Sequence, residues 1–271
     1  MCINVLLVAY ICTVKYCLLF TAFSVLLFAC DETSKQETQE IQTQEMPTKG
    51  KQTLEQYADR MIRAKLSIQA NETFSMQIYR AQLDADGVED AIVTVNRKDF
   101  AMKEAMASPN PAKRAELGFM GNYNYFFFFD GKLDMLSPPL AIPSSPLLPL
   151  NVSFEHISSP DYKDILIDFR IRNASYKDFY TVTNHTPRRI FQFKNFDGLG
   201  SEQTEAYHFE YGAGSYGPQR NIFVMEALLE DLPVGADKNT YVPKLRNLEK
   251  IKYTFFYLAN EGKYATKDAK R

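Results

Sequence analysis

The sequence predicts an α+β fold dominated by antiparallel β-sheet, with an amphipathic helix at its N-terminal side. Three observations carry this. In 164–172, Ile165, Ile167, Phe169 and Ile171 alternate with polar residues except at Leu166, the period of a strand with one core face and one wet face. Turn-forming residues, Asp130-Gly131 and Asn184-His185-Thr186-Pro187, separate strand-like runs as hairpin turns do. One segment near the start has helical rather than strand spacing.

That segment opens with Thr53-Leu54-Glu55-Gln56, a capping box in which a hydroxyl N-cap is followed by Gln three residues on. Leu54, Tyr57, Ala58, Met61 and Ile62 then recur on one helix face, predicting a helix over 54–67. Residues 73–83 and 91–97 read as strands joined by the acidic loop 84–90, and short helices are expected over 98–107 and 111–119. The run Phe126 to Phe129 reads as a strand buried on both faces, continuing through Asp130-Gly131 into Lys132 to Leu136. Five prolines in 138–149 exclude a central strand or helix, so a linker, a sheet-crossing loop or a sub-boundary of the domain belongs there. Further strands are expected at 179–183, 190–196, 204–211, 221–228 and 251–258. Residues 84–97 and 158–172 are faintly alike, which hints at an internal repeat.

The bulk numbers exclude some functions. The 271 residues carry a net charge of -2 with no concentrated basic surface, so nucleic acid is not an expected partner. The C-terminal stretch 243–271 is locally basic and reads as a solvated face. All four cysteines, Cys2, Cys12, Cys17 and Cys30, fall in the first 30 residues. The remainder therefore has no disulfide, no thiolate metal site and no cysteine nucleophile.

Residues 16–29 are an uncharged apolar run of signal-peptide length, ending in Leu27-Phe28-Ala29-Cys30. This resembles the lipobox of bacterial lipoproteins. The resemblance implies cleavage before Cys30, thioether diacylation of Cys30 and attachment to a membrane of the cell envelope. Two or three acyl chains make a stable anchor where one does not. A start at Val14 would place Lys15 in a charged leader, as a signal peptide requires. Residues 31–52 are rich in Gln, Thr and Glu and read as a flexible tether. The expected layout is a signal peptide over 1–29, lipidated Cys30 and tether over 30–52, and one globular β-rich domain over 53–271.

Among candidate sites, Asp84-Ala85-Asp86-Gly87-Val88-Glu89-Asp90 resembles the calcium loops of EF-hand-like and FG-GAP-type repeats. The resemblance implies a structural calcium held by Asp84, Asp86 and Asp90. Calcium takes six to eight oxygens, and carboxylates spaced by two residues can converge on it. The competing reading is a polar turn whose Asp side chains accept local backbone amides. Gly212 to Gly217 matches G-x-G-x-x-G, and also nearly G-x-S-x-G, by letters alone. Both motifs need a following helix, and Pro218 with a strand-like run follows instead. That loop reads as a ligand-binding loop, with Tyr211, Ser215 and Tyr216 as its candidate contacts. His156, His185 and His208 lack metal-ligand spacing and read as surface or satisfied residues. Asp168, Arg170 and Arg172 are expected on the wet face of their strand, in cross-strand ion pairs.

No catalytic constellation emerges, and three classes of function remain. A non-enzymatic binding module for a glycan, peptide or protein ranks first. A structural subunit of an envelope assembly ranks second, and a polymer hydrolase third, since no carboxylate pair can be matched from sequence.

Overall fold

The computed structural model describes residues 52–267. The signal run, Cys30 and nearly all of the tether lie outside the described residues. Helix α1 (Leu54–Lys65) leads into β1 (Ser75–Ala81), β2 (Asp90–Asn96), α2 (Lys98–Ala107), α3 (Pro111–Gly118), β3 (Asn124–Asp130), β4 (Met135–Leu136) and β5 (Leu140–Ala141). There follow β6 (Asn151–Glu155), β7 (Asp164–Ile171), β8 (Ala174–Thr183), β9 (Thr186–Asp197), β10 (Glu205–Gly212), β11 (Asn221–Leu229), β12 (Leu245–Leu258) and β13 (Lys263–Ala265). The chain is α+β and mostly antiparallel sheet. Among the described residues no helix is long and apolar enough to cross a membrane.

The strands form two sheets. The first has the order β1-β2-β3-β4, with β5 also on β3; the second is a meander running from β6 to β13. Helix α1 starts at the expected capping box, Thr53 accepting from the Gln56 amide and Gln56 reaching back. Its Ala58 and Ile62 pack with Val93, Val95 and Phe127. The opposite face of the first sheet packs on the second: Phe126 and Phe128 share a core with Ile165, Ile167, Tyr180 and Val182. So β3 is buried on both faces because helix lies on one side and sheet on the other.

The second sheet curls. Tyr264 on β13 meets Phe191 on β9 edge to face, with ring centroids 6.1 Å apart. The curl encloses another core of Leu166, Phe179, Phe191, Ile222, Val224 and Phe255. Strands β9 and β10 pair only through Phe196–Ala206 and Asp197–Glu205, then diverge. That divergence opens a cleft inside the curl.

Two local expectations need correction. Asp130-Gly131 does not form a two-residue turn: Asp130 pairs with Met135, and Asp134 takes the left-handed conformation. Gly131 is needed for another reason, since a Cβ there would lie 2.1 Å from the Glu89 carbonyl oxygen. The side of the 164–172 segment expected to be wet is mostly covered, because the curl roofs Leu166 and Arg170 and leaves Asp168 half-buried, so that only Arg172, just past the end of β7, is exposed. Asn184-His185 does form the tight hairpin turn, with both residues at positive φ. The prolines of 138–149 admit only the two-residue edge strand β5.

The likeness between 84–97 and 158–172 has a structural counterpart. Hairpins β1–β2 and β6–β7 close with the same register, Ala81 opposite Asp90 and Glu155 opposite Asp164. Each of these aspartates opens its strand and accepts the amide of a buried residue seven positions earlier, Leu83 in one copy and Ile157 in the other.

Candidate functional site

The cleft inside the curl has a volume of about 790 Å³. Its floor comes from β6, β7 and β8, where in-turned residues of an alternating strand face the curl instead of the other sheet. Asp168 is the floor's hub. Lys177 Nζ lies 2.9 Å from its carboxylate, Asn195 Nδ2 donates to it at 2.8 Å, and Asn195 also donates to Ser175 Oγ at 3.0 Å. The pair is largely sheltered, with side-chain exposures of 14% for Lys177 and 22% for Asp168. An ammonium has three hydrogens, so Lys177 keeps donor capacity toward the cleft after meeting Asp168.

The walls are apolar. Phe154, Leu166, Phe169 and Phe196 line one side, Tyr207, Phe209 and Tyr211 of β10 the other, with Val242 and Leu245 at the mouth. Lys177 Nζ sits 5.9 Å from the Phe209 ring centre, a cation–π contact that joins floor to wall. Burial pushes the Tyr211 hydroxyl well above the usual phenol range, so it is neutral at physiological pH.

One wall depends on Arg170. Its guanidinium donates to the carbonyls of Tyr241 and Lys238, each at 2.8 Å, and of Arg172 at 3.2 Å. It also stacks on Phe196, 4.8 Å from the ring centre. Arg170 therefore fastens to the sheet the segment before β12, which carries the wall residue Val242 and leads into Leu245. Burial lowers its pKa to about 10, which leaves it charged at neutral pH. The sequence reading placed Arg170 with Asp168 and Arg172 in solvent. Asp168 does pair across strands, with Lys177, and Arg172 is exposed over Phe119, whereas Arg170 is buried and bound to carbonyls.

The candidate ligand loop divides. Tyr211 lines the cleft, whereas Tyr216 packs on Phe256 in a separate shallow depression. Ser215 is engaged with Asn221. No helix follows Gly217, as Pro218 and β11 required. His208 is exposed at the cleft rim, and His156 Nδ1 meets the Tyr162 carbonyl at 3.0 Å.

In the acidic loop, the aspartates hold the turn. Asp84 Oδ1 accepts the Asp86 amide at 2.9 Å, and Asp86 Oδ1 accepts the Val88 amide at 2.8 Å. The oxygens of Asp90 accept the amides of Leu83 and Gly131. Asp84 adjoins the carboxylates of Asp86 and Asp90, and its carboxylate also lies within 4.8 Å of ligand atoms of Asp130 at the end of β3 and His185 of the β8–β9 turn. His185 Nδ1 lies 2.6 Å from Asp130 Oδ2 and 3.9 Å from Asp84 Oδ2. Sequence spacing could not reveal this triad, because its members are far apart in the chain.

Burial raises the Asp90 pKa to about 6, against the two backbone amides that favour its charge. Its folded pKa then exceeds its unfolded value, so the folded state binds the proton more tightly. Stability from this group is greatest below about pH 4 and is lost as pH rises through about 6, roughly 3 kcal/mol in all. Urea unfolding of wild type and Asp90→Asn in EDTA, at several pH values, should show a difference that varies across that window. A pH-independent difference would refute the assignment.

Comparison with known protein families, with characterised proteins and with solved structures finds no match to this chain. What the fold and site define is a class: an α+β protein in which a small sheet backs a curled antiparallel meander that holds a cleft.

Proposed function

We propose that this chain is a lipid-anchored envelope protein of the binding-module class, whose cleft takes a small amphipathic ligand. The observation that carries the reading is the composition of the cleft: a mainly apolar and aromatic lining around a sheltered Asp168–Lys177–Asn195 group, with Glu155, Arg170 and His208 among the further polar residues on it. Ligand pockets of roughly 300–1,000 Å³ have this makeup, apolar lining for affinity and few polar groups for orientation. An extended acyl or similarly apolar body fits along the β10 wall, with a polar head over Lys177. The lipobox-like Leu27-Phe28-Ala29-Cys30 supports the anchoring.

The test uses a dansyl-labelled undecanoic acid with the full chain in mild detergent. Saturable fluorescence enhancement is expected, with displacement by unlabelled fatty acid. Lys177→Met removes the head contact, and Val242→Glu puts charge into the mouth at a position already 72% exposed. Each is expected to weaken binding about tenfold, the effect of roughly 1.4 kcal/mol. No saturable binding would refute the amphiphile reading, and binding of an oligosaccharide series instead would move it to glycans. Labelled palmitate incorporated by wild type and not by Cys30→Ala would support the anchor; incorporation by both would refute it.

A second reading, a subunit of an envelope assembly, has its own observation. Strand β13 covers only Phe256 to Leu258 of β12, and on the remainder Leu248 and Ile251 are exposed. The bulges in the β11–β12 pairing and Lys250 and Lys252 blunt that edge, which favours the cleft reading.

A further inference from the structure

We propose that Asp84, Asp130 and His185 bind one divalent transition-metal ion, zinc fitting best, and that the ion ties the first sheet to the β8–β9 turn of the second. Three ligand atoms, one from each residue, lie within 4.8 Å of one another. They come from the β1–β2 loop, the end of β3 and a hairpin turn, each fixed by its own hydrogen bonds. Tetrahedral zinc with bonds of about 2.0–2.1 Å needs ligand atoms roughly 3.4 Å apart. The two separations from His185, 2.6 and 3.9 Å, bracket that value, and no pair of the three atoms is more than 4.8 Å apart, so the metal would draw the ligands together as it replaces the proton between His185 and Asp130.

The donor set decides the class of ion. Calcium takes oxygen ligands, six to eight of them. Here an imidazole nitrogen is central, and mixed imidazole and carboxylate donors suit zinc and related ions. Among the described residues, His185 is the sole ion-pair partner within 4 Å of either Asp84 or Asp130. Independently, Asp86 Oδ2 beside this group is sealed from solvent and has no hydrogen-bond partner. A buried carboxylate oxygen without a donor is costly unless a cation compensates it. The β6–β7 hairpin, which closes with the same register, gives a comparison. Ser158 stands there in the place of Asp84, and its hydroxyl satisfies Asp164 at 2.6 Å. The turn itself therefore does not require a carboxylate at that position.

The experiment is isothermal titration of the EDTA-stripped full chain in detergent with zinc chloride, and separately with calcium chloride. One saturable zinc site per chain is expected, with the imidazole resonances of His185 shifting and those of His156 and His208 unmoved. His185→Asn keeps a residue that tolerates positive φ, and Asp84→Asn keeps the oxygen that accepts the Asp86 amide. Each should weaken zinc by at least about tenfold. Circular dichroism melts of the metal-free variants, matched to wild type, would show that the loss is not unfolding. Zinc affinity unchanged in either folded variant would overturn the proposal, as would the absence of saturable zinc binding. Calcium binding that survives His185→Asn would overturn it as well and return the cation to the loop. None of these outcomes bears on the cleft.

Discussion

Phe126→Ala is expected to lower the unfolding free energy by about 3–5 kcal/mol, the largest single effect we expect in the molecule. Phe126 is fully buried on β3, facing the second sheet, and its ring meets Tyr180 edge to face at 5.1 Å. Removing it withdraws an aromatic contact and leaves a cavity between two sheets whose backbones cannot close up, because each is fixed by its own hydrogen-bond ladder. Against a typical total of about 5–15 kcal/mol, that is a large fraction. Urea unfolding of the two proteins measures it. Phe129→Ala, at a half-buried position of the same strand, is the comparison and should cost visibly less. Equal effects at the two positions would mean that the contact between sheets is not where the stability resides.

Arg170→Met should cost about 2–4 kcal/mol and weaken ligand binding at the same time. The methionine keeps the stem that crosses Phe196 but leaves three backbone carbonyls without their donor. Those of Lys238 and Tyr241 belong to the segment that carries Val242 to the cleft mouth. Freed from the sheet, that segment should exchange its amide hydrogens faster than the β7–β8 ladder does. Hydrogen exchange over 231–244 and the dansyl-probe affinity are the two measurements. Faster exchange with unchanged probe binding would show that this wall does not contribute to the site. Unchanged exchange would show that Glu230, which accepts from Tyr241 and Lys244, holds the segment by itself.

Much of the fold was legible because it is written in local chemistry. The Thr53 capping box, the double-faced Phe run of β3 and the Asn184-His185 turn each follow from residue types a few positions apart. The faint repeat also had a local cause, an aspartate opening a strand and capping a buried residue seven positions back. Short-range patterns missed the full lengths of β8, β9 and β12. Their missed ends include Lys177, Pro187 and Asn247, residues whose propensity for strand is weak and which are held by ladder pairing with a neighbouring strand.

The candidate sites divide along the same line. Tyr211 was legible as a candidate contact, since an aromatic beside a Gly-rich loop is a local signal. Lys177, Asn195 and the Asp130–His185 contact were not, because nothing in the spacing of residues predicts which loop ends meet. By itself the sequence determined the antiparallel α+β class, the places of most turns, the burial of β3 and the absence of thiol chemistry after Cys30. The tertiary structure alone decided that most of the polar side of the 164–172 segment, as far as Arg170, is covered. Alternation says only that a strand has two different faces. Whether the polar one meets water depends on how the sheet curls, and the curl arises from long-range packing among Phe191, Phe255 and Tyr264.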